Sequence, residues 1–129
     1  MLNILSGYQT ANIKSFEIAE GVKLDQGDWV VFEEGKLKKQ TGEYAANVAV
    51  FPVYAGNVSF YDTRYHNRAD VVTAKSAILE TDKVAAVSIV AGDALTVKDG
   101  VIDKGTATNA IGFAIADMKD GVVQMQLGR

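Results

Sequence analysis

Short runs of apolar residues alternate with polar turns along most of the chain, and this pattern predicts strands rather than helices. Typical runs are Trp29-Val30-Val31-Phe32, which lies between Asp28 and Glu33, and Val48-Ala49-Val50-Phe51, which lies between Asn47 and Pro52. The chain has 16 Val, 8 Ile and 8 Thr against only 7 Leu. Because β-branched side chains pack well on a pleated surface and lose rotamer freedom in a helix, the sequence predicts an all-β domain.

The pattern of the first half returns 65 residues later. Aligning residues 22–58 with residues 87–123 without gaps gives ten identities in 37 columns. Both copies have a Gly-Asp pair before a strand and a hairpin turn that ends at a glycine, as tight turns require. The residues predicted to form these structural turns are Gly27, Asp28, Gly35, Gly92, Asp93 and Gly100. We therefore predict an internal repeat of two hairpin units, with two independent hairpins of similar turn chemistry as the alternative.

The segments outside the two copies are residues 1–20 and 59–86. Residues 1–20 are predicted to form an N-terminal arm that orders on a neighbouring subunit, followed by an edge strand; a frayed terminus is the alternative. Residues 21–129 are predicted to form a single compact β-barrel or β-tulip-like domain. Within it, residues 59–86 are an insert with short strands, and a helix over residues 70–79 is the alternative.

Composition and motifs argue against several function classes. The net charge of −3 does not suit a nucleic-acid partner, and no apolar stretch approaches the ~20 residues of a membrane span. The chain has no cysteine, no phosphate-binding loop and no G-x-S-x-G nucleophile motif. We therefore expect a non-enzymatic protein without cofactors, made in a reducing compartment.

The single histidine, His66, raises the question of a metal site. Asp62, His66 and Asp70 are spaced four residues apart and would share one face of a helix. Tyr61 and Tyr65 favour a strand or loop instead, where the three side chains would not converge. No metal site is predicted.

An aromatic and basic cluster in the insert is the candidate partner-binding region. Tyrosine and arginine are enriched among the residues that contribute most to protein interfaces. The candidate partner-binding residues are Tyr61, Arg64, Tyr65, His66 and Arg68, together with Tyr8 from the N-terminal segment. The alternative is that these aromatic side chains cap the core of the insert.

Three strings in the second copy carry a family resemblance: Ala91-Gly92-Asp93-Ala94-Leu95, Ile111-Gly112-Phe113-Ala114 and Val122-Val123-Gln124-Met125-Gln126-Leu127. Over about 40 residues, 89–128, the chain resembles the small capsid-decoration (cement) proteins of tailed bacteriophages. The resemblance implies a non-enzymatic β protein of the virion, made in the host cytoplasm, that binds the major capsid protein on the capsid surface. It also implies a homo-oligomer, with a trimer favoured.

A second interpretation comes from a different class of protein. Similar Gly-Asp hairpins occur in β-clip domains of sugar-acid enzymes. The alternative function is therefore a small β-barrel or β-clip module that binds a metabolite or assists an enzyme, with His66 in its site.

Overall fold

The computed structural model describes residues 1–7, 11–45, 47–58, 67–85 and 87–128. Every regular element of more than one residue in these ranges is a strand, which confirms the all-β prediction. The eleven strands are β1 (Leu2–Ile4), β2 (Ile13–Glu17), β3 (Trp29–Glu33), β4 (Lys36–Lys39), β5 (Val50–Val58), β6 (Arg68–Val72), β7 (Ile78–Thr81), β8 (Ala94–Lys98), β9 (Val101–Lys104), β10 (Gly112–Ala114) and β11 (Val123–Leu127).

The strands form two antiparallel sheets that pack on each other. One sheet has six strands in the order β1-β7-β11-β10-β8-β9, and the other has five in the order β2-β6-β5-β3-β4. Each sheet curls, and a parallel bridge marks the curl in each. In the five-stranded sheet, Leu37 of the edge strand β4 bridges to Ile18, just after β2. In the six-stranded sheet, Ile102 of the edge strand β9 bridges to Val84, which follows β7. The body is therefore a compact pair of curled sheets rather than a closed barrel.

Two clusters of buried side chains hold the sheets. The larger cluster combines Leu79, Leu95 and Met125 of the six-stranded sheet with Trp29 and Val72 of the five-stranded sheet, so it is the core that joins the two sheets. The smaller cluster fills the inside of the five-stranded sheet alone. Three half-buried phenylalanines border it in edge-to-face contacts, with ring centroids 5.0 Å and 5.8 Å apart; they are Phe16, Phe32 and Phe51.

The two sheets repeat one topology. Strands β2 to β6 lie in the order β2-β6-β5-β3-β4, and strands β7 to β11 lie in the equivalent order β7-β11-β10-β8-β9, with β1 added at the edge. We call residues 13–72 the first unit and residues 78–127 the second unit. The observed correspondence covers five strands in each unit, whereas the sequence alignment predicted a hairpin and one further strand.

Strand registers show where the two units correspond residue by residue. Val30 pairs with Lys39 and Leu95 pairs with Lys104, so the hairpins match at a shift of 65 residues. After the hairpins the sequence shift between equivalent residues is smaller. The pair Val53–Val71 is equivalent to the pair Ala114–Met125, so Val53 corresponds to Ala114 at a shift of 61 and Val71 to Met125 at a shift of 54. The alignment without gaps is therefore right only through the hairpins, because the loop before β5 is longer than the loop before β10. Common ancestry of the units stays a prediction.

The interpretation of residues 59–86 as an insert changes with this topology. β6 is an inner strand of the first unit and β7 is an inner strand of the six-stranded sheet. The preference for strands over a helix at residues 70–79 is confirmed. The sequence shift between equivalent residues falls from 61 in β5 to 54 in β6. The connection between β5 and β6, which includes residues 59–66, is therefore longer than the equivalent connection between β10 and β11.

The prediction of an N-terminal arm is wrong for the described part of residues 1–11. β1 pairs with β7 over three residues, and Leu2 is only 1% exposed. Ala11 is also fully buried in the core that joins the sheets. Three residues are too few to show an alternating pattern, and this is why the sequence did not reveal the strand.

Candidate partner-binding surface

Five of the six candidate partner-binding residues lie outside the described residues: Tyr8, Tyr61, Arg64, Tyr65 and His66. Their predicted role stays a prediction, as does the place of His66 in the alternative function. The chain segment that carries four of them connects β5 to β6.

Arg68, the sixth candidate, is held within its own sheet. It begins β6 opposite Glu17, and its side chain is half-buried. Its Nε donates to Ser15 Oγ at 3.0 Å and its Nη2 donates to the Ser15 carbonyl oxygen at 2.9 Å. Arg68 thus fastens the edge strand β2 to β6, a role that the sequence did not indicate because residues 15 and 68 are far apart along the chain.

The repeated Gly-Asp pairs form matching turns. Gly27 and Gly92 have φ angles of 91° and 93°, where a side chain would be strained. The Asp28 carboxylate accepts the Asp25 N–H at 2.8 Å, and the Asp93 carboxylate accepts the Val90 N–H at 3.0 Å. The hairpin glycines Gly35 and Gly100 also lie at positive φ, each after another residue at positive φ, as in a type I′ turn.

Asp28 differs from Asp93 because it lies at the junction of the two units. Asp28 is 6% exposed and forms ion pairs with Lys83, from the second unit, and with Lys39 at 3.8 Å. Burial raises the pKa of Asp28. The hydrogen bond from the Asp25 N–H and the charges of Lys83 and Lys39 lower it more, so the pKa is below its ordinary value. The carboxylate therefore stays charged and ties the units together.

Two grooves, each of about 420 Å³, lie along the junction. The first is mainly apolar, with Val48, Phe51 and Ile111 in its wall and Lys75 as its charged lining residue. The second is polar and includes Asp28, Lys83 and Asp99. The second groove is also lined by Trp29, whose buried Nε1 has no hydrogen-bond partner among the described residues. The first groove suits apolar contact, and the second is occupied by charge pairs that join the units.

The solvent side of the six-stranded sheet carries few charges. Directly paired residues share a face of a sheet, and the pairs Phe113–Gln126 and Phe113–Ala94 place these three side chains together. We call this surface the outer face; its residues are Asn3, Leu5, Ile78, Glu80, Ala94, Phe113, Ile115, Gln124 and Gln126. Leu5 is 47% exposed, and Phe113 and Ile115 are each 38% exposed. Of these nine residues only Glu80 is charged, and Lys98 and Asp103 continue the same side of the sheet on β8 and β9. The outer face is therefore a weakly charged area bordered by an opposite pair of charges, and it is suited to contact with another protein.

The described ranges contain no cluster of three His, Asp or Glu residues that could hold a metal ion. Asp70 of the predicted trio lies in β6, and Asp62 and His66 are outside these ranges. Nor do these ranges include a helix long and apolar enough to cross a membrane.

The fold of this chain has a likeness among solved structures, whereas its sequence matches neither a family model nor a curated protein. Among solved structures, the chain is similar to the N base of head fiber gp8.5 in bacteriophage phi29, with a TM-score of 0.57. The likeness covers 90% of this chain and 94% of that chain at 15% sequence identity. At this identity the likeness shows a shared fold, and it includes both units.

Proposed function

We propose that this chain is a virion structural protein that decorates an assembled bacteriophage capsid by binding the major capsid protein, without catalysing a reaction. The observation that carries the proposal is the fold likeness over nine-tenths of the chain to the base of a phage head fiber. The sequence resemblance to capsid-decoration proteins supports it separately, because it rests on the strings in residues 89–128 and not on the shape of both units.

The surface of the molecule supports binding through contact area rather than through an enclosed site. The outer face offers a broad surface with one charged residue across five neighbouring strands, and the β5–β6 connection contains the predicted contacts Tyr61, Arg64 and Tyr65. A protein that binds at many symmetry-related positions needs only modest affinity at each, since many copies stabilise one shell together. We propose a place on the capsid surface and a homo-oligomer, with a trimer favoured by the resemblance.

The test is binding to empty shells assembled from the major capsid protein encoded in the same genome. We expect the purified chain to sediment with the shells and to saturate at a fixed number of copies per shell. The double substitution Arg64→Ala and Tyr65→Ala should weaken this binding about tenfold or more. Lys119→Ala, which removes an exposed cation from the turn before β11, serves as the control and should bind normally.

Two results would overturn the proposal. One is the absence of binding to these shells at any concentration. The other is a turnover activity on a metabolite that His66→Ala abolishes, which would favour the β-clip module instead.

A further inference from the structure

We infer that the first groove, at the junction of the two units, binds an extended segment of the shell protein in which an apolar side chain lies next to a carboxylate. The inference rests on the proposed function and deepens it, because it names the surface that meets the shell and the kind of segment that this surface accepts. Three features of the groove support it: an interrupted strand pairing, an apolar wall and an unpaired lysine.

The groove lies where the pairing of β5 with β6 stops. Among the described residues, pairs between these strands begin at Val53, although β5 itself begins at Val50. Pro52 has no N–H with which to continue the pairing. The chain after β6 turns toward the N-terminal segment instead, since the Ala74 N–H donates to the Ala11 carbonyl oxygen at 3.0 Å. The start of β5 and the chain after β6 therefore separate.

Val50 directs its backbone N–H and C=O groups toward this opening. The Val53 N–H donates to the Asp28 carbonyl oxygen, on the β3 side, at 2.8 Å. Successive residues of a strand direct these groups to opposite sides, and Val50 lies an odd number of positions before Val53, so its groups face away from β3. The lining of the groove includes Val50 together with Thr73 and Ala74. An extended segment in the groove can therefore bond to β5 as a short additional strand.

The wall of the groove is apolar and comes from both units. Its apolar side chains include Val48, Val50, Phe51, Ile111 and Leu127. Val48 is 38% exposed and Phe51 is half-buried, so apolar area remains open to solvent. The volume of about 420 Å³ is within the range of sites that enclose small ligands, so an aromatic or branched side chain of the bound segment fits. Burial of that side chain supplies affinity.

Lys75 gives the groove its charge preference. It is the charged residue among the described lining residues, and its side chain is exposed. It forms no ion pair within the part of the chain that the structure describes. An unpaired ammonium group beside an apolar wall attracts a carboxylate and repels a basic group. The groove therefore favours a segment in which Asp or Glu is close to the buried apolar side chain.

The first experiment compares how variants bind empty shells of the major capsid protein encoded in the same genome. Lys75→Glu should weaken binding about tenfold or more, because the carboxylate of the bound segment then meets a like charge. Lys119→Glu is the matched control, since it changes the net charge equally at another exposed lysine, in the turn before β11, and it should bind normally. Val48→Glu places a charge in the apolar wall and should also weaken binding about tenfold.

The second experiment tests whether the bound segment is extended. The probes are short overlapping peptides that together span the same capsid protein. We expect a peptide with an apolar residue beside Asp or Glu to bind the natural chain and to compete with the shells, and Lys75→Glu to bind it about tenfold more weakly.

Val50→Pro removes a backbone N–H that faces away from β3, so it should keep the fold and weaken peptide binding about threefold to tenfold. Circular dichroism checks the fold of each variant. If Val50→Pro does not fold, Lys75→Glu and Val48→Glu decide the question.

The inference is overturned if Lys75→Glu and Lys119→Glu bind shells equally, or if no peptide binds the natural chain. Self-association that Lys75→Glu abolishes in sedimentation velocity would assign the groove to a second copy. A thermal unfolding temperature that Lys75→Glu lowers and Lys119→Glu does not would assign it to a segment of the same chain. Either result also overturns the inference.

Failure of this inference is distinguishable from failure of the proposed function. Shell binding that Lys75→Glu and Val48→Glu retain in full contradicts the inference and leaves the proposed function standing. Absence of shell binding by the natural chain overturns both.

Discussion

Asp28 and Asp93 occupy equivalent turns. Among the described residues, Asp28 forms an ion pair with a lysine of the other unit, whereas Asp93 does not. The Asp28 side chain is 8% exposed and is paired with Lys83, whereas the Asp93 side chain is 27% exposed and lies 3.6 Å from Lys104 of its own hairpin. Removing a charge from a buried, hydrogen-bonded pair costs more than removing it from an exposed pair.

We expect Asp28→Asn to lower the free energy of unfolding by about 1–2 kcal/mol, since the amide oxygen still accepts the Asp25 N–H but the ion pairs are lost. Asp93→Asn is the matched control and should cost less than about 1 kcal/mol. Urea denaturation of both variants measures the difference. Equal losses would show that the turn, and not the junction with Lys83, determines the role of Asp28.

The lowered pKa of Asp28 also predicts how stability depends on pH. A carboxyl whose pKa is lower in the folded than in the unfolded chain contributes stability that is fully present above the unfolded value of about 4, and loses it as the pH falls through the folded pKa. The stability difference between the natural chain and Asp28→Asn should therefore shrink as the pH is lowered from about 5. Urea midpoints at a series of pH values test this; a difference that stays constant would contradict it.

Trp29 is the largest side chain in the core that joins the two sheets, and it is 1% exposed. Trp29→Ala should lower the free energy of unfolding by about 3–5 kcal/mol, because the lost contacts leave a cavity. We expect a value at the lower end of this range, because the substitution also removes the buried Nε1 donor, which has no hydrogen-bond partner among the described residues. Phe113→Ala, an aromatic truncation on the exposed outer face, should cost far less; comparable losses in thermal unfolding would contradict the burial of Trp29.

At the scale of elements, the short strand β10 depends on a close approach of backbones. A Cβ added at Gly112 would lie 2.1 Å from the Gln126 carbonyl oxygen of β11, and backbone atoms cannot move aside as a side chain does. The glycine therefore permits the pairing of β10 with β11, which in turn positions Phe113 on the outer face.

Gly112→Ala should cost more than about 3 kcal/mol or prevent folding, because β10 must separate from β11 to accommodate the methyl group. Gly21→Ala is the control: it has open space around it and a φ of 79°, so only backbone strain of about 1 kcal/mol is expected. Chemical denaturation of the two variants tests the prediction, and similar costs would indicate that strands β10 and β11 are farther apart.

For the whole molecule, β1 completes the six-stranded sheet. It covers the edge of β7 and brings Leu2 into the core, although it belongs to neither repeated unit. The molecule is thus two equivalent units joined by a buried face, with one additional strand at an edge.

Deleting residues 1–5 should lower the free energy of unfolding by about 2–4 kcal/mol and promote aggregation, because it removes Leu2 and exposes the edge of β7. Leu5→Ala, at a side chain that is 47% exposed, is the control and should leave stability nearly unchanged. Thermal unfolding and light scattering measure the two effects. A truncated chain of unaltered stability would restore the interpretation of this segment as an arm.

The candidate site could be predicted from the sequence only in part. Arg68 was identified by its residue type, but its hydrogen bonds to Ser15 arise from strand pairing across 53 positions. The outer face was missed, because Phe113, Gln124 and Gln126 look like ordinary strand residues until the sheet order places them together. Which of two equivalent faces is buried depends on the packing of the units, and no local pattern records that.

The sequence by itself determined features that are local in origin. Alternating and β-branched residues indicated the strands. Gly35 and Gly100 indicated the hairpin turns, because glycine adopts positive φ angles without strain. Only the tertiary structure decided the strand order, the five-strand extent of the repeat and the place of β1. The physical reason is that period-two patterns specify which side of a strand is apolar but not its neighbours. Those neighbours are selected by the burial of side chains such as Leu2 and Trp29 against residues distant in the chain.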